Sequence, residues 1–325
     1  MPHAIRFHQT GGPEVLKWEE VAIGDPGPNE ARIAHKAIGL NYIDTYHRTG
    51  LYPLPMPSGI GLEAAGVIEA VGPGVTEFQA GDRVAYCNGP IGAYSEKKIH
   101  PVDRLVKLPE GISFEQGACM MLQGLTAHYL LRRLHVVPQA GDFVLWHAAA
   151  GGVGLIACQM AKAYGVNLIG TVSSPEKAAL AKEHGAAHTI DYTKEDFVAR
   201  VAEITGGKKC PVVYDSVGKD TFMKSLDCVR TRGLLALFGN ASGPVDSLNT
   251  GLLAAKGSLY VTRPTLISYT AVRAELVAAA NELFDHVLAG RIKVGARQSY
   301  ALKDAAKAHA DLEARKTTGS TVLLP

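Results

Sequence analysis

The residues that bear most directly on chemistry form a run at positions 148–154, Ala-Ala-Ala-Gly-Gly-Val-Gly. The run follows the apolar, strand-like stretch Phe143–Trp146 and opens a segment with helical periodicity. Written as Ala149-x-Gly151-x-x-Gly154, it departs from the three-glycine dinucleotide fingerprint only at its first position. Small residues let a backbone approach a pyrophosphate, whose charge the N–H groups of the following helix stabilise. The sequence therefore predicts a dinucleotide-binding turn with the cofactor-binding residues Gly151, Gly152, Val153 and Gly154, of which Gly152 and Val153 contact the pyrophosphate.

The end of the next predicted strand, Asn167–Val172, bears on the choice of dinucleotide. Sites that prefer NAD place an Asp or Glu there, which accepts hydrogen bonds from the ribose 2'-hydroxyl. No acid occupies positions 170–174, whereas the hydroxyls of Ser173 and Ser174 and the ammonium of Lys177 would attract a 2'-phosphate. A solvated surface lysine is the alternative, but a cation in the first helical turn opposes the helix dipole. The sequence therefore favours NADPH over NADH.

Strands and helices alternate after the glycine run. Besides the strand and helix starts already described, the pattern predicts strands at 188–191, 212–217, 234–239 and 259–262, with helices at 198–204 and 225–229. Such alternation gives a doubly wound parallel sheet with helices on both faces, which is an α/β fold. After Pro264 we expect a long helix to about Ala289, short strands near Ile292 and Tyr300, a helix at 303–314 and a final strand at 321–324.

The chain before the glycine run differs in character. Short apolar stretches there are broken by glycine and proline, as at 72–74 and 89–90, which indicates a compact, mostly β region that ends near Pro109. Ser113 and Gln116 then have the spacing of a capping box and predict a helix through Leu131 that bridges two domains.

Composition fits a two-domain enzyme. The chain has 325 residues, of which 47% are hydrophobic, and neither a signal-peptide pattern nor an apolar run of membrane-spanning length. We therefore expect a cytoplasmic protein without a membrane partner. A formal net charge of +2 predicts no polyanionic partner such as a nucleic acid. The five cysteines are odd in number and widely spaced, which favours reduced core thiols: Cys87, Cys119, Cys158, Cys210 and Cys228.

Several motifs together resemble one family over essentially the whole chain. They are residues 11–16 (Gly-Gly-Pro-Glu-Val-Leu), 39–44 (Gly-Leu-Asn-Tyr-Ile-Asp), 61–68 (Gly-Leu-Glu-Ala-Ala-Gly-Val-Ile), 81–84 (Gly-Asp-Arg-Val), the glycine run, and 214–218 (Tyr-Asp-Ser-Val-Gly). With these motifs the chain resembles the zinc-free quinone oxidoreductases of the medium-chain dehydrogenase/reductase superfamily, which include zeta-crystallin. The resemblance implies a homodimer whose subunits have a GroES-like, mostly β catalytic domain from residues 1–125 and 267–325, with a Rossmann NADPH-binding domain at 126–266 between them.

The resemblance makes two substitutions informative. Zinc-dependent relatives ligate a catalytic zinc through a Cys where this chain has Asn41, and through a His where it has Leu62. Their structural zinc needs closely spaced cysteines, which the chain also lacks, so no metal is expected. Zinc lowers the pKa of a bound alcohol, and its absence argues against alcohol dehydrogenation. The reaction that remains is transfer of a hydride to an electrophilic acceptor. Quinones fit this reaction best because the oxyanion that develops on them is delocalised.

Similarity to the family also suggests catalytic residues. It places Asn41 near the nicotinamide as an orienting amide, beside Asp44, with Gln123 and Thr126 from the bridging helix. Tyr46 and Tyr52 either donate a hydrogen bond or proton to a quinone oxygen or form an aromatic wall. Arg263 either neutralises the quinol oxyanion or forms a structural salt bridge. Asp44 and Arg48 could also form no more than a local ion pair. The candidate catalytic residues are Asn41, Tyr46, Tyr52 and Arg263.

Further cofactor contacts are expected at the carboxyl ends of the predicted strands, where open α/β sheets bind their ligands. Arg315 is a weaker candidate for the 2'-phosphate, since a basic residue at a helix end is favoured by the dipole in any case. Beyond the glycine run, the candidate NADPH-binding residues are Asn41, Thr126, Ser173, Lys177, Tyr192, Ser216, Phe238, Gly239, Asn240 and Arg315.

Three functions stay open at this stage. NADPH-dependent quinone reduction is preferred. NADPH-dependent reduction of an alkenal or enone double bond needs the same hydride site together with a proton donor for the α-carbon. The third hypothesis is a non-catalytic, crystallin-like protein that binds NADPH and RNA, against which the balanced charge counts. The apolar predicted edge strand at 258–262 is a candidate for pairing between subunits of a homodimer.

Overall fold

The computed structural model describes residues 1–325. Its strands are β1 (His3–Phe7), β2 (Lys17–Glu20), β3 (Glu30–Leu40), β4 (Ser58–Gly59), β5 (Glu63–Val71), β6 (Arg83–Tyr86), β7 (Lys97–Pro101), β8 (Val106–Lys107), β9 (Phe143–Trp146), β10 (Asn167–Val172), β11 (His188–Asp191), β12 (Cys210–Asp215), β13 (Val229–Leu237), β14 (Tyr260–Thr262), β15 (Ala296–Ala301) and β16 (Ser320–Leu324). Its α-helices are α1 (Tyr42–Thr49), α2 (Phe114–Arg132), α3 (Gly152–Ala163), α4 (Pro175–Glu183), α5 (Phe197–Ile204), α6 (Phe222–Asp227), α7 (Gly251–Ala255), α8 (Leu266–Tyr269), α9 (Arg273–Leu288) and α10 (Ala305–Glu313).

The chain forms two compact units. The first unit contains Met1–Leu125, Thr270–Gly290 and Val294–Pro325, and the second contains Thr126–Tyr269 with Arg291–Lys293. Both ends of the chain therefore belong to the first unit, and its middle forms the second.

The first unit is built on a seven-stranded sheet with the order β15-β16-β3-β5-β6-β8, in which β7 also pairs with β3. All of its pairings are antiparallel except that of β15 with β16. The last strand of the chain lies beside β3, with Val322 opposite Gly39. Alternate apolar residues of β3, such as Ile33, and of β5, such as Ile68, fill the core, and Ala305 of α10 packs against them.

The second unit is a six-stranded sheet with the order β11-β10-β9-β12-β13-β14, in which every pairing is parallel. The chain starts in the middle at β9, moves outward through β10 to β11, and then returns to form β12, β13 and β14 on the other side. The strand order therefore reverses between β9 and β12, which is a topological switch point. The predicted α/β class with a parallel sheet is confirmed.

Local capping signals in the sequence are confirmed. The Ser113 N–H donates to Gln116 Oε1 (2.9 Å) and the Gln116 N–H donates to Ser113 Oγ (3.1 Å), which is the predicted capping box at the start of α2. Ser174 Oγ accepts a hydrogen bond from the Lys177 N–H (3.3 Å), and Pro175 is the first residue of α4.

One predicted element is absent from the structure, and two helices have other bounds than expected. The long helix expected up to Ala289 is divided into α8 and α9, because Thr270 between them is buried and accepts hydrogen bonds from the side chains of Asn88 and Arg104. Ile292 belongs to no strand: the backbone of the adjacent Lys293 bonds instead to both ends of the Gln159 amide (2.7 and 3.0 Å). The helix expected at 225–229 is α6, which ends at Asp227 because Val229 is already the first residue of β13.

Two general features complete the fold. No helix of the structure is both long enough and apolar enough to span a membrane. All five cysteines are free thiols and all are buried, as the sequence predicted.

Candidate active site

The glycine run forms a tight turn between β9 and α3 in the second unit. Ala148 has a φ of +56°, and α3 begins at Gly152 after the extended residue Gly151, with no side chain capping it. The first N–H groups of such a helix have no partner within the helix, so they are available to an anion. A Cβ on Gly154 would lie 2.6 Å from the carbonyl oxygens of Ala148 and Ala149, so only glycine permits this approach. The turn therefore fits a pyrophosphate.

This turn lies at the carboxyl ends of the parallel strands, at the switch point. Ser216 follows β12, and Phe238, Gly239 and Asn240 follow β13. A Cβ on Gly239 would come within 2.4 Å of the Ser216 carbonyl oxygen, so the two strand ends are in close contact. Phe238 contacts Trp146 at the end of β9, with ring centroids 5.5 Å apart. The structure thus groups these candidate cofactor residues along one edge of the sheet, where open α/β sheets hold ligands.

Ser173, Lys177 and Tyr192 lie close together at the ends of β10 and β11. The Lys177 ammonium donates to Ser173 Oγ at 3.4 Å. The Tyr192 N–H donates to the carbonyl oxygen of Val172, the last residue of β10, at 3.1 Å, and its side chain is exposed. A cation, a hydroxyl and a phenol at the neighbouring ends of β10 and β11 make a suitable receptor for a phosphate monoester.

A buried network of hydrogen bonds lies next to the glycine turn in the second unit. His147 precedes the glycine run, and its ring nitrogens contact Thr171 Oγ1 (3.0 Å) and Ser225 Oγ (2.9 Å). Ser225 donates to Asp215 Oδ2 (2.8 Å), while Asp215 Oδ1 accepts the N–H of Gly218 (3.0 Å). Burial lowers the pKa of His147, so the neutral ring is favoured. The network fixes the ends of the central strands on which the turn rests.

The first unit presents Asn41, which follows β3 and precedes α1. Its backbone N–H donates to Asp44 Oδ2 at 2.9 Å, its Nδ2 donates to Glu63 Oε2 at 2.7 Å, and its Oδ1 accepts from Gln123 Nε2 at 3.2 Å. The residue is 5% exposed. Both ends of the amide are therefore held, which suits a group that orients a partner.

Glu63 was not among the candidate residues from the sequence. It is fully buried at the start of β5, opposite Gly39 of β3, and its Oε1 accepts the N–H of Leu122 in α2 at 2.7 Å. Burial raises its pKa to about 8 against the opposing effect of these hydrogen bonds. A Cβ on Gly39 would lie 2.4 Å from Glu63 Oε2, so a glycine makes room for the carboxyl group. The only signal in the sequence was that Glu63 lies within a family motif.

Asp44 and Arg48 do not form the ion pair that the sequence left open. The carboxylate partner of Arg48 is Glu313, at 2.6 Å, and the guanidinium also contacts His309 Nδ1 at 3.1 Å. Asp44 Oδ2 accepts from the Tyr94 hydroxyl at 2.9 Å, and its Oδ1 has no partner. Burial raises the pKa of Asp44 to about 7. The Arg48 side chain instead ties α1 to α10.

Tyr46 and Tyr52 are brought together in the first unit. Their ring centroids are 5.3 Å apart at an interplanar angle of 69°, and the Tyr52 N–H donates to the Tyr46 carbonyl oxygen at 3.0 Å. Tyr46 is buried and Tyr52 half-buried. This edge-to-face pair is compatible with both predicted roles, proton donor and aromatic wall.

Three further candidates are Thr126, Arg263 and Arg315. Thr126 is buried on α2 in the second unit. Arg263 is exposed just after β14, and its guanidinium donates to the Pro264 carbonyl oxygen at 3.4 Å. Arg315 belongs to the first unit, two residues after α10, with a φ of +58°, whereas Ser173 and Lys177 belong to the second. No group of three or more His, Cys, Asp or Glu side chains could hold a metal ion.

Family models match both parts of the chain. Residues 27–110 match the alcohol dehydrogenase GroES-like domain, and residues 152–282 match the model described as zinc-binding dehydrogenase. Together with the parallel-sheet unit and its glycine turn, these matches define a two-part dehydrogenase/reductase of the medium-chain superfamily.

Individual relatives narrow the family. The chain is 60% identical to a quinone oxidoreductase from Pseudomonas aeruginosa, with 100% of both chains covered. It is similar to the crystal structure of Escherichia coli quinone oxidoreductase complexed with NADPH, with a TM-score of 0.97, 53% identity, and 99% and 100% of the two chains covered. A 2-haloacrylate reductase from Burkholderia sp. is 47% identical over 100% of this chain and 99% of its own. The chain belongs to the quinone oxidoreductase family.

Proposed function

We propose that this protein is an NADPH-dependent quinone oxidoreductase that reduces its substrate by hydride transfer without zinc. The observation that carries the proposal is the glycine turn at the switch point, with Lys177 and Ser173 at the next strand end where no acid stands. The similar Escherichia coli structure is a complex with NADPH, and the relatives' names give the substrate class. Both agree with the chemistry of the turn.

Different residues bind different parts of NADPH in this proposal. The N–H groups that begin α3 receive the pyrophosphate, and Ser173, Lys177 and Tyr192 receive the 2'-phosphate. Ser216 and the segment 238–240 line the strand ends beside the switch point, and Thr126 and Arg315 are further proposed contacts. When bound, the cofactor supplies a hydride, which is chemistry that no side chain of the chain can provide.

On the substrate side, the residues orient the quinone and manage its charge. The Asn41 amide is held at both ends by Glu63 and Gln123, so its remaining hydrogen-bonding capacity has a fixed direction. Tyr46 and Tyr52 form an edge-to-face pair that either contacts a quinone oxygen or encloses the ring. Arg263 is proposed to neutralise the quinol oxyanion. Orientation and protonation are sufficient because the acceptor is already electrophilic.

Assembly and compartment belong to the same proposal. β14 is an edge strand of the parallel sheet, and Tyr260 on it is 49% exposed. An exposed edge can pair with the same strand of a second copy, so a homodimer is proposed. We assign the protein to the cytoplasm, and the domain division at 1–125, 126–266 and 267–325 stays a prediction. Sedimentation of the purified protein tests the dimer.

A second candidate is reduction of an activated carbon–carbon double bond. Its support is the 47% identity to a 2-haloacrylate reductase, whose name indicates an electron-poor alkene. Such a substrate needs a proton at the α-carbon, for which Tyr46 and Tyr52 are the proposed donors. The non-catalytic hypothesis with RNA binding has no comparable support, since the formal net charge is only +2.

The deciding experiment measures oxidation of NADPH and, separately, of NADH by the purified protein, with a small quinone and a simple enone as acceptors. Fast oxidation of NADPH with the quinone supports the proposal. Turnover of the enone alone would move the assignment to the second candidate. Absence of turnover despite NADPH binding would favour the non-catalytic hypothesis, which a gel-shift titration with RNA at physiological salt then tests.

A further inference from the structure

Four buried side chains form a hydrogen-bond chain through the interior of the first unit. Ser320 Oγ donates to Gln123 Oε1 at 2.6 Å, Gln123 Nε2 donates to Asn41 Oδ1 at 3.2 Å, and Asn41 Nδ2 donates to Glu63 Oε2 at 2.7 Å. None of the four is more than 6% exposed. They come from β16, α2, the start of α1 and β5, so the chain crosses the unit rather than following one element.

The chain has a direction. Every donor in it points toward Glu63, so Glu63 Oε2 must be an acceptor, as it is in a carboxylate. The other oxygen, Oε1, is occupied by the N–H of Leu122 at 2.7 Å, and a backbone donor cannot reverse. A proton arriving on this carboxyl group therefore has Oε2 as its available position.

A proton on Oε2 reverses every bond between these four side chains. The Glu63 O–H then donates to Asn41 Oδ1, the Asn41 amide to Gln123 Oε1, and the Gln123 amide to Ser320 Oγ. Each amide only turns its end by half a turn, since donor and acceptor lie on opposite sides of it. The hydroxyl of Ser320 is left to find an acceptor, and the Cys119 carbonyl oxygen lies 3.4 Å away. The four side chains are therefore hydrogen-bonded to one another in both directions.

We propose that Glu63 is a positioning residue whose proton selects between these two directions of the chain and thereby sets which edge of the Asn41 amide carries the free donor. The proton comes from solvent and forms one O–H bond on Glu63, and no electrons move. The functional consequence rests on the proposed function, in which Asn41 orients cofactor or substrate. The direction present in the structure is the one assigned to the active enzyme.

The surroundings of Glu63 allow both states. The titratable groups that interact with it are Asp44 of α1, Tyr86 of β6, Cys87, Tyr94 and Cys119 of α2, and none of them is a cation. Without a cation, burial opposes the charged form and raises the pKa of Glu63 to about 8. The carboxylate and the acid are thus both accessible near neutral pH.

The test follows side-chain NMR signals of the full-length protein without cofactor. The carboxyl carbon of Glu63 and the side-chain amides of Asn41 and Gln123 are titrated from pH 5 to pH 9. We expect all three to change with one midpoint, and Glu63→Gln to abolish the change in both amides. Glu69→Gln, in the same strand but exposed enough to bond Lys97 and Arg32, serves as the matched control and leaves it intact. Amides that do not follow the Glu63 carboxyl would overturn the proposal.

Kinetics supply a second readout. In Glu63→Gln the new amide must turn its oxygen to the Leu122 N–H, so its NH2 faces Asn41 and fixes the reversed direction. The kcat/KM of the wild type should rise with pH as Glu63 loses its proton. We expect kcat/KM of the variant to be about tenfold lower than that of the wild type at high pH and not to show this rise. An increase of kcat/KM with pH that persists in the variant would contradict the proposal. If quinone turnover is absent altogether, the proposed function fails, whereas the NMR titration of the wild type still decides the inference.

Discussion

The two units form their candidate sites by different means. In the second unit the site is mainly backbone: a left-handed Ala148, the N–H groups that begin α3, and a glycine at 154 packed against carbonyl oxygens. In the first unit the site is made of buried side chains, Asn41, Glu63 and Asp44, which are joined by hydrogen bonds through Asn41. A backbone site depends on close approach and a side-chain site on complete hydrogen bonding, so the two should fail under different substitutions.

The largest effect is expected at Arg48, which is 1% exposed and bonds Gly11, His309 and Glu313. Arg48→Met leaves a half-buried carbonyl and a buried ring nitrogen without a donor. We expect the free energy of unfolding to fall by about 4 kcal/mol, measured by denaturant titration. Arg6→Met, at a more exposed arginine of the same unit, is the control and should cost less than about 1 kcal/mol. Equal costs would refute the dependence of the first unit on buried polar bonds.

The second effect concerns the backbone site. Gly154→Ala places a Cβ 2.6 Å from two carbonyl oxygens, so α3 must move away from the turn. We expect up to about 3 kcal/mol of destabilisation and at least about tenfold weaker NADPH binding, measured by fluorescence titration. At Gly151 the nearest atom to an added Cβ is 3.2 Å away, so Gly151→Ala should destabilise less. Unchanged NADPH affinity in Gly154→Ala would show that close packing is not required.

A third change asks whether side chains matter in the second unit as well. Lys177→Glu replaces the cation beside Ser173 with an anion, which repels a 2'-phosphate. We expect NADPH to bind about 30-fold more weakly, or about 2 kcal/mol, with NADH little affected. Lys182→Glu, in the last turn of the same helix, is the control. If the ratio of NADPH to NADH affinity is the same as in the wild type, Lys177 does not read the phosphate.

The smallest effect is the pH dependence of the free energy of unfolding that Glu63 causes in the first unit. The pKa of Glu63 is raised to about 8, so this residue stabilises the folded state at low pH and loses that contribution as pH rises toward 8. Relative to Glu63→Gln, the wild type should therefore lose about 1.4 kcal/mol of unfolding free energy per pH unit between about pH 6 and pH 7. Urea titrations of both proteins at each pH measure this. A difference that stays constant or grows with pH would mean that Glu63 is not a buried acid.

The same contrast explains what could be predicted from the sequence. The glycine turn, the Ser174 cap and the capping box at Ser113 all use residues within a few positions of each other, and each prediction of their local structure was confirmed. Glu63 was missed because it meets Asn41 only when β5 pairs with β3. The Ser320 contact with Gln123 joins residues 197 positions apart. Spacing cannot reveal such contacts, and the roles of the candidate site residues stay predictions.

The five buried cysteines have a consequence for an enzyme of this proposed substrate class. Quinones are electrophiles that alkylate thiolates, and the thiolate is the reactive form of cysteine. In this chain burial raises the pKa of all five thiols above its usual value, and none lies on the surface. The folded protein therefore exposes almost no thiolate to its own substrate, and resistance to alkylation of its cysteines is a property of its core.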